Sequence, residues 1–103
     1  MVTQRKDQSS VMVEERVKTR KPKLYKVILH NDDFTTMDFV VYILKTIFHK
    51  AHADAIQLML DIHQKKSAVC GIYPKDIADT KSQEVIRLAR LNDFPLLCTV
   101  EKE

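Results

Sequence analysis

Glycine is almost missing from this chain, cysteine is rare, and long hydrophobic runs are absent. Gly71 stands alone, so there is no glycine-rich loop to cradle a phosphate, and nucleotide chemistry by that route is excluded. Cys70 and Cys98 form no C-x-x-C pair and both sit inside apolar runs. Zinc and redox readings thereby lose their usual signature, and each thiol is expected to pack as a small core residue. No serine or cysteine stands in a nucleophile motif, so the protein is not expected to be an enzyme. The longest uninterrupted apolar run, 39–44, is far too short to cross a bilayer, and the polar N-terminus holds no hydrophobic signal segment. A soluble, cytoplasmic protein without metal or cofactor is the expectation.

With 103 residues, 45% of them hydrophobic, the chain can form one domain with a self-sufficient core. Its net charge of +3 is unevenly placed. Up to Lys23 the bases Arg5, Lys6, Arg16, Lys18, Arg20, Lys21 and Lys23 face only Asp7, Glu14 and Glu15, whereas acids slightly outnumber bases from Leu24 onward. The division predicts a disordered extension over 1–22 and a folded domain over 23–103. Within the extension Val11, Met12 and Val13 form an apolar patch too small for a core, a handle for a partner.

From Leu24 the patterning is regular. The run 24–30 is rich in β-branched and aromatic residues and reads as a strand, ended by Asn31, Asp32 and Asp33. Thr35 or Thr36 can cap the helix that follows, with Asp38 favourable in its first turn. Phe39, Val40, Ile43, Leu44 and Ile47 mark its buried stripe. A second helix is predicted from about Ala51 to Gln64, apolar at Ala55, Ile56, Leu58, Met59 and Ile62. A strand over 67–73 comes next. Pro74 then opens a helical stretch through Ile77, Ala78, Val85, Leu88 and Ala89 to Asn92, with a break allowed near Thr80, and 96–100 is the last strand. The order β-α-α-β-α-β gives an α+β domain, with three helices on one face of a three-stranded antiparallel sheet.

Two segments carry the chemistry. The turn at 31–37 brings an amide and two carboxylates between an apolar strand and an apolar helix, and His63 lies one helical turn beyond Met59. Together they can build a small acidic mouth over a greasy pocket. A cation joined to a large apolar group suits such a site, and the free N-terminus of a peptide is the commonest example. Taken singly, each piece has a plainer reading: Asn and Asp favour turns for backbone reasons, methionines on helices usually pack, and a histidine at a helix end sits well at the negative pole. His30, His49 and His52 lack metal-ligand spacing and are expected to be solvated.

The motifs Asn-Asp-Asp-Phe-Thr-x-Met-x-Phe-Val, Gln-Leu-Met-Leu-x-x-His, Ala-Val-Cys-Gly, Ala-Asp-Thr-Lys and Pro-Leu-Leu-Cys-Thr-Val-Glu occur in order from about Lys23 to the end. In this the chain resembles the ClpS adaptor family. The resemblance implies the fold of the ribosomal stalk protein C-terminal domain. It also implies an adaptor that binds proteins through a bulky apolar N-terminal residue (Leu, Phe, Tyr or Trp) and delivers them to the unfoldase ClpA, or the related ClpC, with the peptidase ClpP. It implies an α-amino site at Asn31, Asp33 and His63 with Asp32 at the mouth, pocket walls from Thr35, Met37, Val40, Met59, Ile62 and Leu96, and an unfoldase interface with Asp76 and Lys81 as charged contacts, aided by the N-terminal extension. A monomer that binds neither nucleic acid nor membrane is expected.

Three departures from the family pattern bear on the site. Thr36 stands where proline is common, Lys66 where many relatives have glycine, and Asp61 where a small residue is usual. If position 66 is left-handed, lysine costs about 1 kcal/mol there and the aim of His63 is affected. Asp61 is expected to add negative charge near the mouth. Two other classes compete. A hydrolytic reading would use Asp32, Asp33 and His63 but has no nucleophile, and a nucleic-acid module would use the basic extension but finds no basic stripe interleaved with aromatics in the folded part.

Overall fold

The computed structural model describes residues 21–103. The Val11, Met12 and Val13 patch and most of the basic extension lie outside the described residues. The described elements are β1 (Leu24–His30), α1 (Met37–Thr46), α2 (His52–Lys65), β2 (Ser67–Pro74), α3 (Lys75–Leu91) and β3 (Leu97–Lys102). The strands form one antiparallel sheet in the order β2-β1-β3.

Alternation along β1 decides which face is covered. Val27 and Leu29 are fully buried, and their neighbours across the sheet include Cys98, also buried. Opposite them, Ile28 pairs with Val69 and Lys26 with Ile72, and both β2 residues are exposed. The helices therefore pack on one face only. The register slips between Val27 and Ile28, leaving Cys70 as the extra residue of a β-bulge on β2. Gly71 follows immediately, and the Tyr73 ring folds across it so closely that a Cβ there would collide with the ring.

Helix α1 starts where its cap allows. Thr36 is extended (φ −72°, ψ 149°) and its hydroxyl accepts the Phe39 N–H at 3.2 Å. Its buried stripe is Phe39, Val40, Ile43 and Leu44, continued by Ile47. Helix α2 buries Ala55, Met59 and Ile62, while Ile56 and Leu58 are only half covered.

Helix α3 departs from expectation in two ways. It runs unbroken through Thr80, whose hydroxyl donates to the Asp76 carbonyl one turn back at 2.9 Å, while Lys75 and Asp79 pair along the exposed side at 2.8 Å. Ile77 is exposed rather than part of the stripe, which is made of Ala78, Ser82, Val85 and Ala89. These small residues let the helix lie close on the sheet, near enough for the buried Ser82 hydroxyl to donate to the Cys98 carbonyl of β3 at 3.2 Å. The last strand also begins one residue late, at Leu97, because Leu96 is pinned in the core at 1% exposure.

Candidate functional site

The 31–36 turn is held by one carboxylate. Asp32 Oδ1 accepts the N–H groups of Phe34 (2.8 Å) and Thr35 (2.7 Å), and its Oδ2 accepts the Thr35 hydroxyl at 2.7 Å. Partial burial alone would raise the Asp32 carboxyl, but the Thr35 hydroxyl, these two N–H groups and the charge of Arg90 outweigh it and hold the group below the ordinary aspartate range. Because the Thr35 hydroxyl proton is committed to Asp32, its oxygen is left to accept rather than donate.

The other side of the site is the end of α2. Lys66 closes that helix in the left-handed conformation (φ 79°, ψ −28°), as a lysine where glycine would be unstrained. The strained residue has a structural use: its carbonyl accepts the Asn31 N–H at 2.7 Å. The hydrogen bond clamps the turn to the helix end and so fixes Asn31 against the last turn of α2, which carries His63.

Between the two lies a cavity of about 230 Å³, lined by Asn31, Asp32, Asp33, Thr35, Met37, Val40, Met59, Ile62 and His63. Its chemistry is divided. Val40, Met59 and Ile62 are buried and form an apolar floor, and Met37, nearly half exposed, stands at the rim as the first residue of α1. Among the described residues the side chains of Asn31, Asp33 and His63 have no hydrogen-bond partner, so an amide oxygen, a carboxylate and an imidazole remain available to a ligand. Such a mouth accepts donors, and its floor excludes water: an amphipathic cation with a compact apolar group meets both demands.

Leu96 is not part of this cavity. It is sealed in the core with its carbonyl turned to Arg90 Nη1 at 3.1 Å, so its contribution is to the scaffold. Asp61 is also absent from the lining. Its carboxylate accepts from Gln57 Nε2 at 3.2 Å along α2, so any effect of its charge on the mouth acts from outside the lining.

His30 is half-buried rather than solvated, with Nε2 2.7 Å from the Thr99 hydroxyl on β3. His49 and His52 are exposed, and Lys45 Nζ donates to His52 Nδ1 at 3.2 Å. Burial pushes the Cys70 thiol up to about 12 and raises that of Cys98, which leaves both protonated and inert at neutral pH. Among the described residues no three His, Cys, Asp or Glu side chains converge as metal ligands, and no helix is long and apolar enough to cross a membrane.

The two α3 residues are arranged differently from the cavity. Lys81 reaches back to the end of α1, donating to the Ile47 carbonyl at 2.7 Å with its Nζ 5.2 Å from the centre of the Tyr73 ring. Asp76 is exposed at the start of α3, where its carboxylate takes the Ile77 N–H at 3.0 Å.

Known proteins resemble this chain in sequence and in structure. The family described as "ATP-dependent Clp protease adaptor protein ClpS" matches residues 20–99. The ClpS adapter of Syntrophus aciditrophicus is 52% identical over 87% of this chain and 84% of its own length. That of Acetivibrio thermocellus is 50% identical over 94% of this chain and 98% of its own length. Agrobacterium tumefaciens ClpS2, solved bound to L-phenylalaninamide, superposes with a TM-score of 0.78 at 41% identity, covering 81% of this chain and all of that one. On sequence and fold alike, the chain belongs to the ClpS family of ATP-dependent Clp protease adaptors.

Proposed function

We propose that this protein captures other proteins by a free N-terminus whose first side chain is large and apolar, and hands them to a Clp AAA+ unfoldase for degradation. The observation that carries the reading is the cavity itself, in which acceptors that have no partner among the described residues ring an apolar floor. A protonated α-amine has three N–H donors, and Asn31, Asp33 and His63 offer three acceptors, with Asp32 adding negative charge at the mouth. An apolar cavity of about 150 Å³ suffices for benzene. At about 230 Å³ this one has room for a leucine or an aromatic ring. The ligand of the Agrobacterium relative fits the same logic, since L-phenylalaninamide joins a free amine to a benzyl group and has no carboxylate.

Met37 is assigned the role of gate: a side chain branched at Cβ would collide with it, so Leu, Phe, Tyr and Trp are accepted and Ile and Val refused. Burying such a side chain contributes roughly 1.5–3 kcal/mol, and each charge-assisted hydrogen bond a further ~1.5–3 kcal/mol. After association entropy is subtracted, binding of about −8 kcal/mol, in the micromolar range, is expected. Neither half of the ligand suffices alone. Delivery is assigned to the start of α3, with Asp76 and Lys81, and to the extension before Pro22, acting on ClpA or ClpC with ClpP in the cytoplasm. The adaptor itself is a monomer and catalyses nothing.

The test is fluorescence polarisation with a labelled Leu-initiated peptide, its N-acetylated twin and a single-stranded oligonucleotide. Acetylation removes the charge and two of the three N–H donors and should weaken binding by at least about a hundredfold. Equal affinity for the acetylated peptide, or tighter binding of the oligonucleotide, would overturn the reading.

A further inference from the structure

The turn that walls the cavity has a second side. Phe34, two residues after Asp32, is 76% exposed, the most exposed of the large hydrophobic side chains among the described residues. With Arg90, Asp93, Phe94 and Pro95 it borders a shallow hollow of about 580 Å³. The 32–35 turn is therefore shared, presenting Asp32 and Thr35 to the deep cavity and Phe34 to the hollow. Arg90 lies close enough to Asp32 for its charge to be felt there.

The far side of the hollow is rigidly made. Helix α3 ends with Asp93 in the left-handed conformation (φ 60°) and the Phe94 N–H donating to the Ala89 carbonyl at 2.8 Å, the closing pattern of a Schellman turn. Arg90 Nη1 then donates to the carbonyls of both Phe94 (2.7 Å) and Leu96 (3.1 Å), and the Phe94 ring is held against Phe39 at 4.8 Å between centroids. One ring is thus fixed from behind and the other stands free on the turn. Arg90 and Asp93 carry opposite charges, so the rim has no net sign and selection falls to the two rings and Pro95.

We propose that this hollow is a second subsite for the captured chain, taking an aromatic side chain at the third residue of the substrate. The inference rests on the capture reading above. Successive side chains of an extended chain point to opposite sides, so when the first enters the cavity the second faces solvent and the third returns to the protein. Two residues of extended chain span about 7 Å, and the cavity and the hollow are parted only by the 32–35 turn that lines both. Offset or edge-on contact with Phe34 and Phe94 then adds to the anchor made by the first residue, by about three- to tenfold in affinity.

The experiment is competition fluorescence polarisation on the full chain and on Phe34→Ser, with peptides beginning Leu-Ser-Ser, Leu-Ser-Phe and Leu-Phe-Ser and with acetylated Leu-Ser-Phe. Phe34 does not line the deep cavity, and only its backbone N–H serves the turn. Leu-Ser-Phe should bind three- to tenfold more tightly than Leu-Ser-Ser, with Leu-Phe-Ser close to the latter. Phe34→Ser should erase the gain and leave Leu-Ser-Ser unchanged. Equal affinities, a gain that survives Phe34→Ser, or the same gain at the second position would overturn the subsite while leaving capture intact. If acetylated Leu-Ser-Phe binds as well as the free peptide, the capture reading fails and the subsite falls with it.

Discussion

Two polar regions of this molecule look alike in sequence and behave oppositely in structure. Around the cavity, Asn31, Asp33 and His63 have side chains without partners among the described residues, whereas at the start of α3 the charges are already engaged. Lys81 is bonded to the Ile47 carbonyl, Asp76 to the Ile77 N–H, and Lys75 to Asp79. A group whose hydrogen bonds are unmet can repay a ligand for desolvation, while one that is satisfied within its own chain must first give something up. The same contrast holds inside the site, where Asp32 builds the turn and its neighbour Asp33 has no side-chain partner among the described residues.

The largest effect should separate these two aspartates. Asp33→Ala is expected to cost tenfold to a hundredfold in affinity for a Leu-initiated peptide, about 1.5–3 kcal/mol, with thermal stability nearly unchanged. Asp32→Ala should lower affinity and melting temperature together, because the Phe34 and Thr35 N–H groups lose their acceptor. Identical profiles for the two variants in titration and melting would break the distinction.

On α3, Lys81→Met should remove the hydrogen bond to the end of α1 and destabilise the fold by about 1–2 kcal/mol. Asp76→Ala at an exposed position should cost less than about 0.5 kcal/mol. Urea unfolding reads both. If the two cost the same, Lys81 is a solvated charge like its neighbour.

Lys66→Gly should relieve the left-handed strain at the end of α2 and stabilise the protein by roughly 0.5–1 kcal/mol, with the carbonyl that holds Asn31 kept in place. Stability that falls instead would mean that the lysine side chain, rather than the backbone, secures this junction.

The smallest effect is in acid. The Asp32 carboxyl is held below its ordinary value in the folded protein, so its contribution is complete above the unfolded value near pH 4 and is lost as pH falls through the lower folded value. Amide resonances of Phe34 and Thr35 followed from pH 6 to 2 should report that transition, and Asp32→Asn should remove it. A midpoint at or above the ordinary aspartate value would show that burial, not the hydrogen bonds, dominates.

Much of the fold is legible in the sequence. The strand at Leu24–His30 and the helix beginning after Thr36 follow from β-branched clustering, a capping threonine and apolar spacing, all local signals. Helix α3 shows where local signals fail. A threonine in mid-helix suggests a break, but the i, i+4 bond to Asp76 and the ion pair beside it carry the helix through. Its buried stripe is made of alanines and a serine, which hydropathy alone does not mark, and Ser82 is buried because a β3 carbonyl awaits it. Leu96 and Asp61 do not line the cavity, since the side a residue faces is decided only when the chain has folded.

By itself the sequence determined the element order, which depends on residue types at short spacing along the chain, and the family, through motifs that occur in a set order; the cavity's full set of side chains was legible only through what that resemblance implies. Tertiary structure alone decided which of those side chains are free. Asp32 and Asp33 are the same residue one position apart, and only the closing of the turn on Phe34 and Thr35 engages one and exposes the other. The clasp from Lys66 to Asn31 joins residues far apart in the chain through backbone atoms that every residue type shares, so no choice of side chain could announce it.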